Sequence, residues 1–123
     1  MFKINFYKDA TGRQPVKEYL DSLQEASSTS KDSRIKLKKI IEYIDILSQN
    51  GTRAGIPYVK HIDGDLWELR PLRDRIFFFC WQGERFILLH HFLKKSQKTP
   101  KREIEQAKRN LKDFVERSTH HEK

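Results

Sequence analysis

The chain has 123 residues, 37% hydrophobic and 34% charged, with a formal net charge of +8. That length fits one domain, and eight Phe, four Tyr and two Trp need a core or a stacking partner, which excludes a disordered chain. A single cysteine, Cys80, excludes an internal disulfide and a cysteine zinc cage and favours a cytoplasmic compartment. The apolar runs are too short to span a membrane, and Met1-Phe2-Lys3-Ile4-Asn5 lacks a signal-peptide stretch.

Phe2 to Tyr7 alternates, with Phe2, Ile4 and Phe6 on one side and Lys3, Asn5 and Tyr7 on the other, which predicts a strand. After a turn at Asp9 to Gly12, Pro15 suits the first position of a short helix whose apolar face is Val16, Tyr19, Leu20 and Leu23. The Ser-rich stretch Ala26 to Ser33 reads as a loop. A second helix is expected over Arg34 to Gln49, with a stripe of Leu37, Ile40, Ile41, Ile44 and Leu47 and a stop at Asn50-Gly51. The two helices read as a hairpin laid on a sheet.

From Tyr58 the period changes to that of strands. Tyr58 to Ile62, Leu66 to Pro71, Arg75 to Trp81 and Arg85 to Phe92 are the candidates, joined by tight turns at Asp63-Gly64 and Gln82-Gly83-Glu84. Ile76 to Trp81 is uniformly apolar, which predicts a central strand buried on both faces. Thr99-Pro100 reads as an N-cap and first-turn pair for a last helix, with Ile104, Ala107, Leu111 and Phe114 as its stripe. One domain over 1–115 is expected, followed by a polar, frayed tail over 116–123. The order of elements predicts an α+β fold with a mostly antiparallel, twisted sheet, an N-terminal helical hairpin and a C-terminal helix.

The charge is uneven. Lys94 to Lys112 holds eight basic residues against Glu103 and Glu105, a net +6. Such a stripe attracts a polyanion, although a solvated helix face has the same composition. No phosphate-binding glycine loop, metal-ligand pattern or nucleophile elbow is present, so neither metal nor cofactor is expected. Arg70 and Arg75 fall at the two sides of one hairpin and suit a phosphate, or equally a nearby carboxylate such as Glu68 or Asp74. His90 and His91 are adjacent on a strand and point to opposite faces, so at most one serves a site. Either is a proton shuttle or a hydrogen-bonded residue at the core edge. Phe92 and the lysines after it form a cationic strand exit suited to stacking on a base, or an ordinary solvated connection.

Leu66-Trp67-Glu68-Leu69-Arg70, Arg75-Ile76-Phe77-Phe78, Leu88-Leu89-His90 and Phe92 with Lys94-Lys95-Ser96-Gln97-Lys98-Thr99-Pro100 together resemble the phage-derived, HigB-like branch of the RelE toxin superfamily. The match runs in register from about Asp65 to Ala107, and the strand-helix-helix start also fits. The resemblance implies a RelE-like fold and a metal-independent, ribosome-dependent endoribonuclease that cuts mRNA in the ribosomal A site. It implies neutralisation by a HigA-like helix-turn-helix antitoxin, contact with DNA only through that antitoxin, and no membrane partner. Taking the resemblance together with the residue readings above, Arg70, Arg75, Lys95, Lys98 and His90 are the candidate catalytic residues, and Lys94, His91, Phe92, Lys101 and Arg102 the candidate RNA-binding residues. The chain departs from better-known RelE toxins in having Leu66 and Glu68 where they carry lysines, and no tyrosine in its last helix. It also has His91 where this branch often has a small residue. The competing readings are a non-catalytic RNA- or ribosome-binding module and a protein-interaction subunit.

Overall fold

The computed structural model describes residues 1–121. Five strands, β1 (Lys3–Phe6), β2 (Val59–Asp63), β3 (Leu66–Leu69), β4 (Asp74–Trp81) and β5 (Arg85–Leu93), form one sheet in the order β1-β5-β4-β3-β2. β2 to β5 form an antiparallel meander, and β1 joins β5 in parallel. Helices α1 (Pro15–Ala26) and α2 (Lys31–Asn50) cover one face, and α3 (Lys101–His121) covers the other. The α+β class and the mostly antiparallel sheet agree with the sequence reading. Among the described residues no helix is long and apolar enough to cross a membrane.

Two separate cores explain the strand patterns. Val16, Leu23, Leu37, Ile40 and Leu47 of the hairpin pack on Ile76, Phe78, Phe86 and Leu88. Tyr7, Phe77, Phe79, Ile87, Leu89 and Phe92 pack under Ala107, Ile104, Leu111 and Phe114 of α3. Consecutive β4 residues from Ile76 to Phe79 therefore enter alternate cores, and none can be polar. The expected double burial ends there, because Cys80 is exposed and Trp81 half-buried.

Several local expectations are corrected. α2 starts at Lys31 rather than Arg34, because the Ser30 hydroxyl accepts from the Ser33 amide at 3.2 Å and caps it. Ile41 is 54% exposed and leaves the buried stripe. The expected stop at Asn50-Gly51 is kept: α2 ends at Asn50, and Gly51 follows with a φ of +64° that suits glycine, where a Cβ would come within 2.8 Å of the Phe2 ring. Thr99 does not start α3; the Pro100 carbonyl accepts from the Glu103 and Ile104 amides, and the Thr99 hydroxyl turns to Glu68. α3 continues beyond Val115 to His121, with Arg117 bound to Asp113 and to the Lys8 carbonyl, so the expected frayed tail is helical as far as the described residues go.

One irregularity shapes β5. Phe77 opposes His90 while Phe78 opposes Leu88, so Leu89 is an extra residue. Its carbonyl accepts from the Asn110 side-chain amide of α3 at 2.8 Å, and Asn110 is buried. Beyond this bulge His90 and Phe92 face α3, and His91 faces the hairpin.

Candidate functional site

The β3–β4 connection is short, and the strands are registered through Glu68 with Phe77 and Leu69 with Ile76. One step further along each strand brings Arg70 beside Arg75. β2 adds Lys60 opposite Glu68, and β5 places Phe92 opposite Arg75. At the exit of β5 the Lys94 amide donates to the Arg73 carbonyl at 2.8 Å, which ties the basic connection to the β3–β4 turn. The result is a groove of about 550 Å³ lined by the cations of Lys60, Arg70, Arg73, Arg75, Lys94 and Lys95, with Ser96 and Gln97 beside them.

Beneath the groove lies Glu68, 1% exposed. Its Oε1 is 3.5 Å from Arg70 Nε and 3.7 Å from Arg75 Nε, and its Oε2 accepts from Thr99 Oγ1 at 3.3 Å. Arg75 is itself buried, and its Nη1 donates to the Leu72 and Asp74 carbonyls at 2.7 and 2.9 Å. Burial lowers the Arg75 pKa from its ordinary value, with Glu68 opposing and Arg70 adding to the shift. Lys94 is also pushed down, first by burial and then by the charge of Arg75, with Glu68 opposing and Arg70 and Lys60 adding. A phosphate entering this volume meets an Arg75 guanidinium already held by two backbone carbonyls, the Arg70 guanidinium beside it, and a lysine whose neutral form is easier to reach than usual.

The sequence-expected residues divide. Arg70, Arg75, Lys94 and Lys95 come together at the groove. Arg70 and Arg75 both line the groove, and both lie within ion-pair distance of Glu68, the carboxylate of the second reading. His90 does not join them: its Nε2 bonds Glu103 Oε1 at 2.8 Å, and its ring lies parallel to that of Phe77. On the other face, His91 bonds Asp74 Oδ1 at 2.8 Å and stacks on Tyr19 with ring centroids 3.6 Å apart. Phe92 is 6% exposed and packed on Phe77, so it is a core residue and not a platform for a base. Lys98, Lys101 and Arg102 are exposed and lie outside the groove lining. Among the described residues no cluster of His, Cys, Asp and Glu could hold a metal ion.

Sequence reasoning missed Lys60, Arg73, Ser96 and Gln97 as lining residues. Arg73 had a signal, since it stands between Arg70 and Arg75 in a three-arginine hairpin. Lys60 had none, because only the pairing of β2 with β3 brings it to the site.

No curated protein matches the chain. The model of one family, described as phage-derived protein Gp49-like (DUF891), matches residues 18–112, a span that begins inside α1, ends inside α3 and holds every residue of the groove. The chain therefore belongs to the Gp49-like phage-derived protein family, a toxin-like family related to RelE and HigB.

Proposed function

We propose that the protein is the toxin of a type II toxin–antitoxin pair, a HigB-type, ribosome-dependent endoribonuclease that acts in the cytoplasm on mRNA in the ribosomal A site. A HigA-like helix-turn-helix antitoxin neutralises it and makes any contact with DNA. The observation that carries this reading is the convergence of Arg70, Arg75 and Lys94 on one groove, in a chain of a toxin-like family.

The chemistry needs no metal. The ribose 2′-oxygen bonds to the adjacent phosphorus as the bond from phosphorus to the 5′-oxygen breaks, leaving a 2′,3′-cyclic phosphate and a 5′-hydroxyl end. Arg70 and Arg75 stabilise the charge that builds on the phosphoryl oxygens; losing one such preorganised contact costs about 10²–10³ in rate. Both histidines are engaged outside the groove, so the proton work passes to lysines. Neutral Lys94 accepts the 2′-OH proton, and the Lys95 ammonium protonates the departing 5′-oxygen.

Induced expression in a bacterial host, with growth curves and mRNA 5′-end mapping for wild type and Arg75→Ala, tests the reading. Growth arrest with new ends inside translated frames, both lost in Arg75→Ala, is the expected result. The position of both histidines outside the groove favours a second reading, a non-catalytic RNA- or ribosome-binding module. Growth inhibition by the wild type with intact mRNA would support that second reading instead.

A further inference from the structure

Glu68 is the one carboxylate within ion-pair distance of the groove's arginines Arg70 and Arg75 among the described residues, and it is almost fully buried. A carboxylate in that position costs heavily in desolvation unless each oxygen is compensated. Here two guanidiniums lie within ion-pair distance of Oε1, although neither Nε hydrogen-bonds it, and the Thr99 hydroxyl donates to Oε2. The three partners belong to three different segments: the end of β3, the start of β4, and the connection that carries Lys94 and Lys95 into α3. The contacts to the arginines run to Nε, and Arg75 is held from a further side by two backbone carbonyls. The Glu68 charge thus sets where the guanidiniums stand relative to the lysines, and it also sits close to any phosphate they bind.

We propose that Glu68 is a positioning residue of this site: it aligns Arg70 and Arg75 against the Lys94–Thr99 connection and competes with a bound phosphate for them. The proposal rests on the phosphate-binding reading of the groove. Its energetic logic is that of differential binding. A competing carboxylate weakens the hold on a ground-state phosphate while keeping the arginines aimed at the more highly charged transition state.

The two effects of removing the charge have opposite signs, which separates positioning from a merely structural role. The experiment uses the full chain as wild type, Glu68→Gln and Glu68→Asp, with three readouts. These are the arginine Nε–H signals in nitrogen-15 spectra, assigned with Arg70→Lys and Arg75→Lys; affinity for a non-cleavable 2′-O-methyl RNA oligonucleotide; and mRNA cutting on translating ribosomes. In Glu68→Gln, with the backbone spectrum retained, the Arg70 and Arg75 Nε–H signals should shift from their wild-type positions. Oligonucleotide affinity should rise about fivefold, the effect of one charge at close range in a wet site, while cutting falls about 10²-fold through misalignment. Glu68→Asp should keep wild-type affinity and recover part of the cutting.

Unchanged Nε–H signals in Glu68→Gln, or affinity and cutting falling together, would overturn the proposal. If Glu68→Gln fails to fold, Glu68→Asp decides: slowed cutting at wild-type affinity supports the proposal, and unchanged cutting overturns it. A wild type that neither binds nor cuts RNA would sink the RNA reading alone, leaving the Nε–H signals to decide on positioning.

Discussion

Asp74 and Arg75 are neighbours in β4, yet each serves a different face of the sheet. Asp74 is fully buried on the hairpin side, where Tyr19 donates to it at 2.6 Å, His91 bonds it at 2.8 Å and Lys36 lies at 3.7 Å. Arg75 faces the groove, with one Nη1 bond to the carbonyl of Asp74 itself. The hairpin side thus anchors the residue from which Arg75 projects.

That anchor should be visible as acid sensitivity. Burial acts to raise the Asp74 pKa, but the bonds from His91 and Tyr19 and the charge of Lys36 outweigh it and hold the group below its ordinary 3.8. A carboxylate with a depressed folded pKa contributes stability above its unfolded value, and that stability is lost as pH falls through the folded one. Urea melts of the wild type should therefore lose stability below about pH 4. Asp74→Asn should be less stable at pH 7 by about 3 kcal/mol, the usual cost of breaking a buried ionic network, with a flatter acid limb. Equal acid limbs in the two proteins would contradict this account.

Tyr7 should reveal itself at the alkaline end. Burial first, and then the 2.5 Å bond to Asp113, push its pKa up to about 12. A raised folded pKa means its contribution is complete below the unfolded value near 10 and is lost as pH rises towards 12. Tyr7→Phe should cost about 1 kcal/mol at neutral pH and remove that alkaline dependence, as measured by chemical denaturation across pH.

Lys94 and Lys60 should part company in kinetics. Lys94→Arg keeps the charge but not an accessible neutral form, so oligonucleotide affinity should hold while mRNA cutting drops by about 10²-fold or more. Lys60→Ala removes a phosphate contact and should weaken binding across sequences, lowering the salt slope of affinity by about one. Cutting retained in Lys94→Arg would exclude lysine base chemistry at that position.

Phe92 should behave as core. Phe92→Leu leaves the groove lining intact, so RNA affinity should stay at the wild-type level, with thermal stability lowered by about 1 kcal/mol. A large loss of affinity in a folded Phe92→Leu protein would show that the side chain meets the ligand after all.

What was legible in the chain follows the range of each interaction. The alternation of Phe2 to Tyr7 was readable because each sheet face has its own core, and Arg70 with Arg75 because a short hairpin fixes their register. The opposite pointing of His90 and His91 was readable from strand geometry, and the bulge at Leu89 falls before both. Their partners were not readable, since Glu103 and Asp74 are 13 and 17 residues away and arrive only through tertiary packing. Phe92 misled because a side chain at a strand exit is half-exposed by default, and only the docking of α3 encloses it. Lys98, Lys101 and Arg102 stand outside the groove lining because proximity in sequence to Lys94 does not carry across the start of a helix.

The bulge at Leu89 has a consequence for alignment along the sheet. A helix lying on an apolar surface can slide by a turn at small cost, since one aliphatic contact replaces another. Asn110 prevents this: its side-chain amide donates to the carbonyl of Leu89, the extra residue of the bulge. α3 is thereby indexed against a single notch in β5, as a key is by its shoulder. The connection that feeds α3 inherits that index, so the placement of Lys94 and Lys95 over the sheet is set from the middle of the helix as well as from their own strand.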